Sequence, residues 1–503
     1  MSESSSTGIL QGWPGRWLLA AVAVVGIVAM PREMYQGDPV TMREETRSIL
    51  LRGELAVSDV VVREYASGEP GQYIVENPRN GRSYSKYGSM AAWLYLLPMG
   101  MECLVEGGLP PFGSPRRVLY LNAFNLLLSL LIAASLFRTA RRLGAAAGVA
   151  ATFVAACFYT TFLWNYLRAQ NSEIMQLLLF SWAVTAFLDI LDARSSGGRA
   201  VAPVIRLWLA CAALLLTKVA YLLIGPLFAV GLFADRTVRR GGPWPAAFVA
   251  EARVHVLPAS LAIGGWLAVN ALKFGAPWRT GYHVWKPEIH GFTGDLFDAL
   301  THLACSVQWG LGCCFPVLLV ALPFVPSWCR REPVRYGTLL GVGVVYLVLI
   351  GMLPSWRGEW CYGPRYWLFV LPFASLPALE AIARLTRPTW PARLAALVVV
   401  AGLAFSTMLQ WQVARQPFFA YYALRGPLEQ QCGLTAAGYF LEHSYGRVLW
   451  DCSRCRERLT DLPWWKELRG RLHPREAEAY ERHVRGVLAV GNLYWFDGPG
   501  PGH

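Results

Sequence analysis

The sequence predicts an all-α polytopic membrane protein of about eleven spans, and three observations carry that reading. The 503 residues are 54% hydrophobic and only 16% charged, against about 25% charged in soluble domains. Mean hydropathy is +0.34. Apolar runs near spanning length recur along the chain, and most of the basic residues sit in the short loops between them. A soluble enzyme of this length is excluded. The formal charge of +13, from 46 Lys and Arg against 33 Asp and Glu, would suit nucleic acid in a soluble chain. In a membrane protein it reports topology instead, so the expected partner is the lipid bilayer and not nucleic acid.

Residues 1–16 are polar, carry no basic n-region and precede no small-residue cleavage site, so 17–30 reads as a retained first helix. Its boundary extends toward Tyr35. Further spans are expected at 118–137, 144–164, 174–191, 207–216, 219–234, 254–272, 303–328, 337–353, 366–383 and 394–411. The run 207–234 is too long for one ordinary span and is interrupted by Thr217-Lys218. Split there, it makes a hairpin with Lys218 at the outer tip.

With that split, every alternate loop is basic: Arg138, Arg141 and Arg142; Arg194, Arg199 and Arg206; Arg236, Arg239, Arg240 and Arg253; Arg330, Arg331 and Arg335; Arg384, Arg387 and Arg393. All five then face the cytoplasm. Counting 90–105 as a span would throw them all outside, so that stretch, broken by Pro98 and Gly100, is placed as an interfacial or re-entrant segment. The expected organisation is a cytoplasmic N-terminus (1–16), a transmembrane domain (17–411) whose first extracytoplasmic loop is 32–117, and an extracytoplasmic C-terminal region (412–503). The membrane is the cytoplasmic one, inner or plasma. No internal repeat is evident.

Of the 11 cysteines, Cys157, Cys211, Cys305, Cys313, Cys314 and Cys329 lie in or beside spans and read as packing residues. In the tail, Cys452-Ser453-Arg454-Cys455 has motif-like spacing, with Cys432 upstream. A zinc site there would need His443 or His473 without a second pair, so a disulfide is the favoured reading, its pairing open. The tail also mixes aromatics with an Arg-rich stretch at 475–485. It either caps the outer face or engages an acceptor.

The first outer loop holds the informative charges. Asp38 follows the first helix and opens an amphipathic stretch ending at Arg52-Gly53, so it reads either as an N-cap or as a carboxylate usable as a base at the membrane surface. Lys86, in Tyr84-Ser85-Lys86-Tyr87-Gly88, reads either as a snorkelling side chain or as a phosphate ligand.

Asp38 just past helix one, Gly53 fifteen residues on, and Tyr84-Ser85-Lys86-Tyr87-Gly88 before an apolar stretch together resemble the GT-C glycosyltransferases. Within them the chain is most similar to the branch holding protein O-mannosyltransferases, lipid A aminoarabinose transferases and related bacterial sugar transferases. Arg168-Ala169-Gln170-Asn171-Ser172-Glu173, Leu216-Thr217-Lys218, Asn270 to Pro277 with Thr280-Gly281-Tyr282, and Tyr362-Gly363-Pro364-Arg365-Tyr366-Trp367 extend the likeness over most of 16–411. Relatives carry Asp-Glu where this chain has Asp38-Pro39, which makes Glu44 the candidate replacement. They commonly carry Pro where it has Tyr87.

The resemblance implies inverting transfer of a sugar from a polyprenyl-phosphate donor to a lipid, glycan or protein hydroxyl outside the cytoplasmic membrane. It implies Asp38 as general base, Glu173 as a second acid, and Lys86, Lys218 and Arg365 as cations for the departing phosphate. Arg168, Tyr84 and Glu44 are candidate supports. No cofactor is assigned; a divalent metal is left open, with His283 and His290 nearby and neither assigned. The alternatives are a transporter or flippase, a lipid-linked glycan polymerase or ligase, and a degenerate scaffold.

Overall fold

The computed structural model describes residues 13–32, 34, 38–58, 60, 73–110, 114–198, 200–240, 244–285, 291–305, 310–356, 363–385, 389–415 and scattered positions between 466 and 482. The cysteines at 432, 452 and 455, His290, His443 and Tyr362 lie outside them.

Helix α1 (Trp13–Val28) is followed by α2 (Asp38–Arg52), which Gly53 ends with φ 67°. A short hairpin follows, β1 (Ile74–Glu76) against β2 (Ser83–Ser85), antiparallel with Val75 opposite Tyr84. Next comes α3 (Met90–Glu106), the stretch expected at the interface. It packs on α2 and on α4 (Pro115–Arg142), and a buried Arg117–Glu102 pair at 2.8 Å ties it to the start of α4.

The expected span 144–164 breaks into α5 (Ala147–Tyr159) and α6 (Leu163–Arg168). Thr160 and Thr161 turn their hydroxyls back on the Ala156 and Cys157 carbonyls at 2.8 and 2.6 Å, and the Phe162 amide leaves the helix for the Cys314 carbonyl at 2.8 Å. Such local bonds compete with the helical ladder. Helix α7 (Ser172–Ser195) then runs through the centre, apolar on nearly all sides and buried on nearly all sides. Its largest contact is with α8 (Val201–Thr217), and it also lies against α4.

At Lys218 the backbone becomes extended (φ −150°, ψ 136°), and a 3₁₀ turn (Val219–Leu223) leads into α9 (Ile224–Arg240), the break expected at Thr217-Lys218. Helix α10 (Trp244–Phe274) crosses next, followed by α11 (Gly281–Trp285) and α12 (Leu296–Cys305).

Two further expected spans are interrupted. In 303–328, Pro316 and Pro326 open α14 (Pro316–Ala321) and α15 (Val325–Arg331) after the single turn α13 (Leu311–Cys314). Beyond α16 (Arg335–Gly351), the stretch 366–383 is a 3₁₀ turn (Arg365–Trp367), then α17 (Leu371–Ala374) and α18 (Ala378–Leu385). Helix α19 (Trp390–Ala414) completes the described bundle. Among the described residues, five helices are long and apolar enough to cross a bilayer, and five shorter apolar helices accompany them. The chain is a multi-pass membrane protein. Its core is aromatic where the broken helices meet α7: Phe180 packs edge-on against Phe369 and Phe373 at 5.0 and 5.2 Å.

Candidate functional site

Asp38 is the first residue of α2, and its carboxylate meets two side chains from distant segments. Oδ1 accepts a 2.5 Å hydrogen bond from the Tyr87 hydroxyl, and Oδ2 lies 3.6 Å from Arg365 Nη1. The same Nη1 is 3.6 Å from Glu173 Oε1, which Lys218 Nζ approaches to 3.5 Å. Glu173, in the first turn of α7, is 3% exposed at its side chain and Asp38 26%. One guanidinium thus stands between two carboxylates, the outer of which reaches solvent.

Lys86 completes the group from the other side. Its Nζ lies 5.7, 5.2 and 5.9 Å from the ring centroids of Tyr73, Tyr87 and Tyr282. Such rings hold a cation through their quadrupoles, and the Lys86 charge also acts on the Asp38 carboxylate. Lys218 and Arg365 share the ring of Tyr366, each at 5.1 Å.

Two glycines let these segments converge. A Cβ on Gly88 would stand 1.9 Å from the Leu216 carbonyl oxygen, and one on Gly281 would stand 2.1 Å from that of Lys86. Both are impossible distances, so the backbone after Lys86 rests on the end of α8, and the Thr280-Gly281-Tyr282 backbone rests on Lys86. A small cleft lies there, lined by Lys86, Lys218, Asn270, Lys273 and Tyr282. Gly363 (φ 71°) sits against the Phe162 ring just before Arg365.

Burial pushes the Asp38 carboxyl up, but the charge of Arg365, that of Lys86, the Tyr87 hydrogen bond and Lys218 together bring it below the ordinary carboxylate value. Burial, with the Asp38 charge beside it, holds the Tyr87 hydroxyl well above the usual phenol range, so it remains a donor. Asp38 is therefore an ionised acceptor with one oxygen fixed and the other facing a guanidinium.

The remaining expected residues lie around this centre. Arg168 is buried and donates from Nε to the Ala29 carbonyl at the end of α1, while Glu173 takes Lys218 and Arg365 as its ion pairs. Tyr84 belongs to the hairpin: its hydroxyl accepts from Asn80 Nδ2 at 3.0 Å. Glu44 is buried, pairs with Arg47 at 3.7 Å and accepts from the Ser58 amide; burial raises its carboxyl above the ordinary value. The adjacent Glu45 points elsewhere, to Lys273 at 2.8 Å. His283 bonds Thr280 at 2.8 Å. No group of three His, Cys, Asp or Glu side chains suited to a metal ion occurs among the described residues. Sequence reasoning passed over Tyr73, Tyr87, Tyr282 and the Glu45–Lys273 pair. Tyr87 and Tyr282 stood inside motifs already singled out, which was the available signal.

No protein-family model and no curated protein matches the sequence. Solved structures do. The apo oligosaccharyltransferase of Archaeoglobus fulgidus superposes with a TM-score of 0.54 at 13% identity, over 88% of this chain and 61% of that one. The oligosaccharyltransferase AglB of the same organism, in complex with an inhibitory peptide and a dolichol-phosphate, gives 0.52 at 11% identity, over 95% and 69%. ArnT from Cupriavidus metallidurans bound to undecaprenyl phosphate gives 0.47 at 14%, over 94% and 75%. The chain thus spans about three-fifths of the length of the first of these. The shared architecture is the GT-C membrane fold, the fold expected from the sequence.

Proposed function

We propose that the protein is a GT-C glycosyltransferase that moves a sugar from a polyprenyl-phosphate donor to an acceptor hydroxyl at the extracytoplasmic face, with inversion. The observation that carries this reading is the ionised Asp38 carboxylate set among Lys86, just past the hairpin, and Lys218 and Arg365. The dolichol-phosphate in the AglB structure supports a donor of that chemical class.

In this mechanism Asp38 takes the acceptor's proton as its oxygen attacks the anomeric carbon. The bond from that carbon to the phosphate oxygen breaks, and the polyprenyl phosphate departs with the electron pair. Lys86, Lys218 and Arg365 stabilise the charge developing on it, which cations already in place do without reorganisation. Glu173 holds Arg365 and Lys218 toward the phosphate. Arg168 and Tyr84 brace the two segments that deliver Glu173 and Lys86, and Glu44 braces the far half of α2. In a cytoplasmic membrane with the five arginine loops inside, the N-terminus is cytoplasmic, 17–411 is the catalytic domain and 412–503 is extracytoplasmic.

A transporter places its ionisable groups near the bilayer midplane, whereas these cluster at helix termini. The test is transfer of labelled sugar from polyprenyl-phosphate donors in membranes carrying wild-type or Asp38→Asn protein. Loss of transfer on the order of 10³-fold is expected; full activity overturns the base assignment. Retention of anomeric configuration in the product would overturn the single displacement.

A further inference from the structure

Tyr87 is held on four sides. Its hydroxyl donates to Asp38 Oδ1, its ring faces Lys86, its amide donates to Ser85 Oγ at 3.3 Å, and its carbonyl accepts from Lys273 Nζ at 2.7 Å. Lys273, at the last turn of α10, is 0% exposed, and Nζ also reaches Glu45 Oε2 at 2.8 Å and Ser89 Oγ at 3.3 Å. An ammonium has three N–H donors, and these are three acceptors.

Stability alone gives no reason for a lysine there, because an apolar pair of similar volume commonly serves as well as a buried ion pair. What the ammonium does is close a ring. Asp38 and Glu45 lie two turns apart on one face of α2. Glu45 is joined through Lys273 to the Tyr87 backbone, and Asp38 is joined to the Tyr87 side chain. Helix, lysine and tyrosine therefore fix one another.

We propose that Lys273 and Tyr87 form a positioning relay for Asp38. The Lys273–Glu45 pair fixes the Tyr87 peptide, and the Tyr87 hydroxyl, by binding Oδ1, leaves Oδ2 as the oxygen that receives the acceptor's proton. The relay rests on the assignment of Asp38 as base. It moves no proton itself: Tyr87 keeps its hydrogen throughout.

The test reads Asp38 without turnover. The purified full chain is labelled with a water-soluble carbodiimide and an amine across a pH series, and modification at Asp38 is followed by mass spectrometry. Tyr87→Phe is expected to raise the labelling midpoint by about one unit, since a hydrogen bond to the charged form is lost. Lys273→Met raises it less, and Tyr336→Phe, which removes a buried hydroxyl bonded to the Ala374 carbonyl, leaves it in place. A folded Tyr87→Phe protein with the wild-type midpoint overturns the relay.

Where Lys273→Met does not fold, the double variant Glu45→Gln/Lys273→Met removes both charges together. A raised midpoint supports the relay, and a wild-type midpoint there reduces Lys273 to a helix staple and overturns its part. Sugar transfer is measured in parallel. Tyr87→Phe is expected to lose about tenfold in kcat with little change in donor KM. Midpoints that move in proteins that transfer no sugar would sustain the hold of Tyr87 and Lys273 on the Asp38 carboxylate while refuting the proposed function and the proton-accepting part of Oδ2, so the two failures separate.

Discussion

At the C-terminal end of α7 and its neighbours, arginines and carboxylates are matched and closed. Glu251 is gripped by Arg194 at 2.7 Å, Arg236 at 2.5 Å and His255 at 3.1 Å, and Arg335 meets Asp192 at 2.5 Å. At the N-terminal end of the same helix, about 28 Å away, the same residue types stand off. Arg365 is 3.6 Å from both Asp38 and Glu173, Lys218 is 3.5 Å from Glu173, and Lys86 is ringed by tyrosines. The first cluster is a tie between helices, carrying the arginines that the positive-inside rule puts in the cytoplasm. In the second, the ion pairs among Asp38, Glu173, Lys218 and Arg365 are all longer, at 3.5–3.6 Å. Separation between opposite charges, more than their number, is what sets the two clusters apart.

Four substitutions or titrations test that contrast. The largest effect is expected from Arg365→Met, which removes the cation shared by the loose cluster: transfer should fall on the order of 10²–10³-fold with little loss of melting temperature in detergent. Equal losses of activity and stability would make the outer cluster a clamp after all. Glu251→Gln should do the reverse, costing roughly 1–3 kcal/mol of stability because two partly exposed arginines lose the buried carboxylate between them, while donor KM per folded molecule is unchanged. Thermal unfolding beside steady-state kinetics reads both.

Next is acidity. Asp38 is held below the ordinary carboxylate range, so kcat/KM should stay level through pH values near about 3.9 and fall only as pH drops through the lower folded value. The stability that the ionised carboxylate contributes is lost in the same direction. An acid limb at or above the ordinary value would show the cations too distant to matter. The smallest effect belongs to the exposed Arg82–Glu54 pair at 3.1 Å: Arg82→Ala should cost under about 1 kcal/mol, measured as a shift in unfolding midpoint.

Helix identity was legible where one local force decided it. The break at Thr217-Lys218 showed as a charge inside an apolar run too long for one span, and Asp38, Lys86, Glu173, Lys218 and Arg365, expected together, do come together. The interruptions in 303–328 and 366–383 were not foreseen, because mean hydropathy stays high while Pro316, Pro326 and Pro372 start new helices. Glu44 and Glu45 are neighbours in sequence but about 100° apart around α2, and nothing local says which one turns to a lysine 228 positions away. Tyr87 escaped attention as a tyrosine beside the lysine of interest; its role depends on where α2 begins in space.

The glycine stacking has a consequence for biogenesis. Gly88 rests on the backbone of Leu216, and Gly281 rests on that of Lys86, so the cleft is laminated from strips synthesised far apart, with Arg365 added last. Contacts of such long sequence separation form late. A nascent chain can insert its first helices, with Asp38 and Lys86 already made, and still hold no pocket. The cluster of Asp38, Lys86, Glu173, Lys218 and Arg365 is thereby assembled only when nearly the whole bundle has been delivered to the membrane.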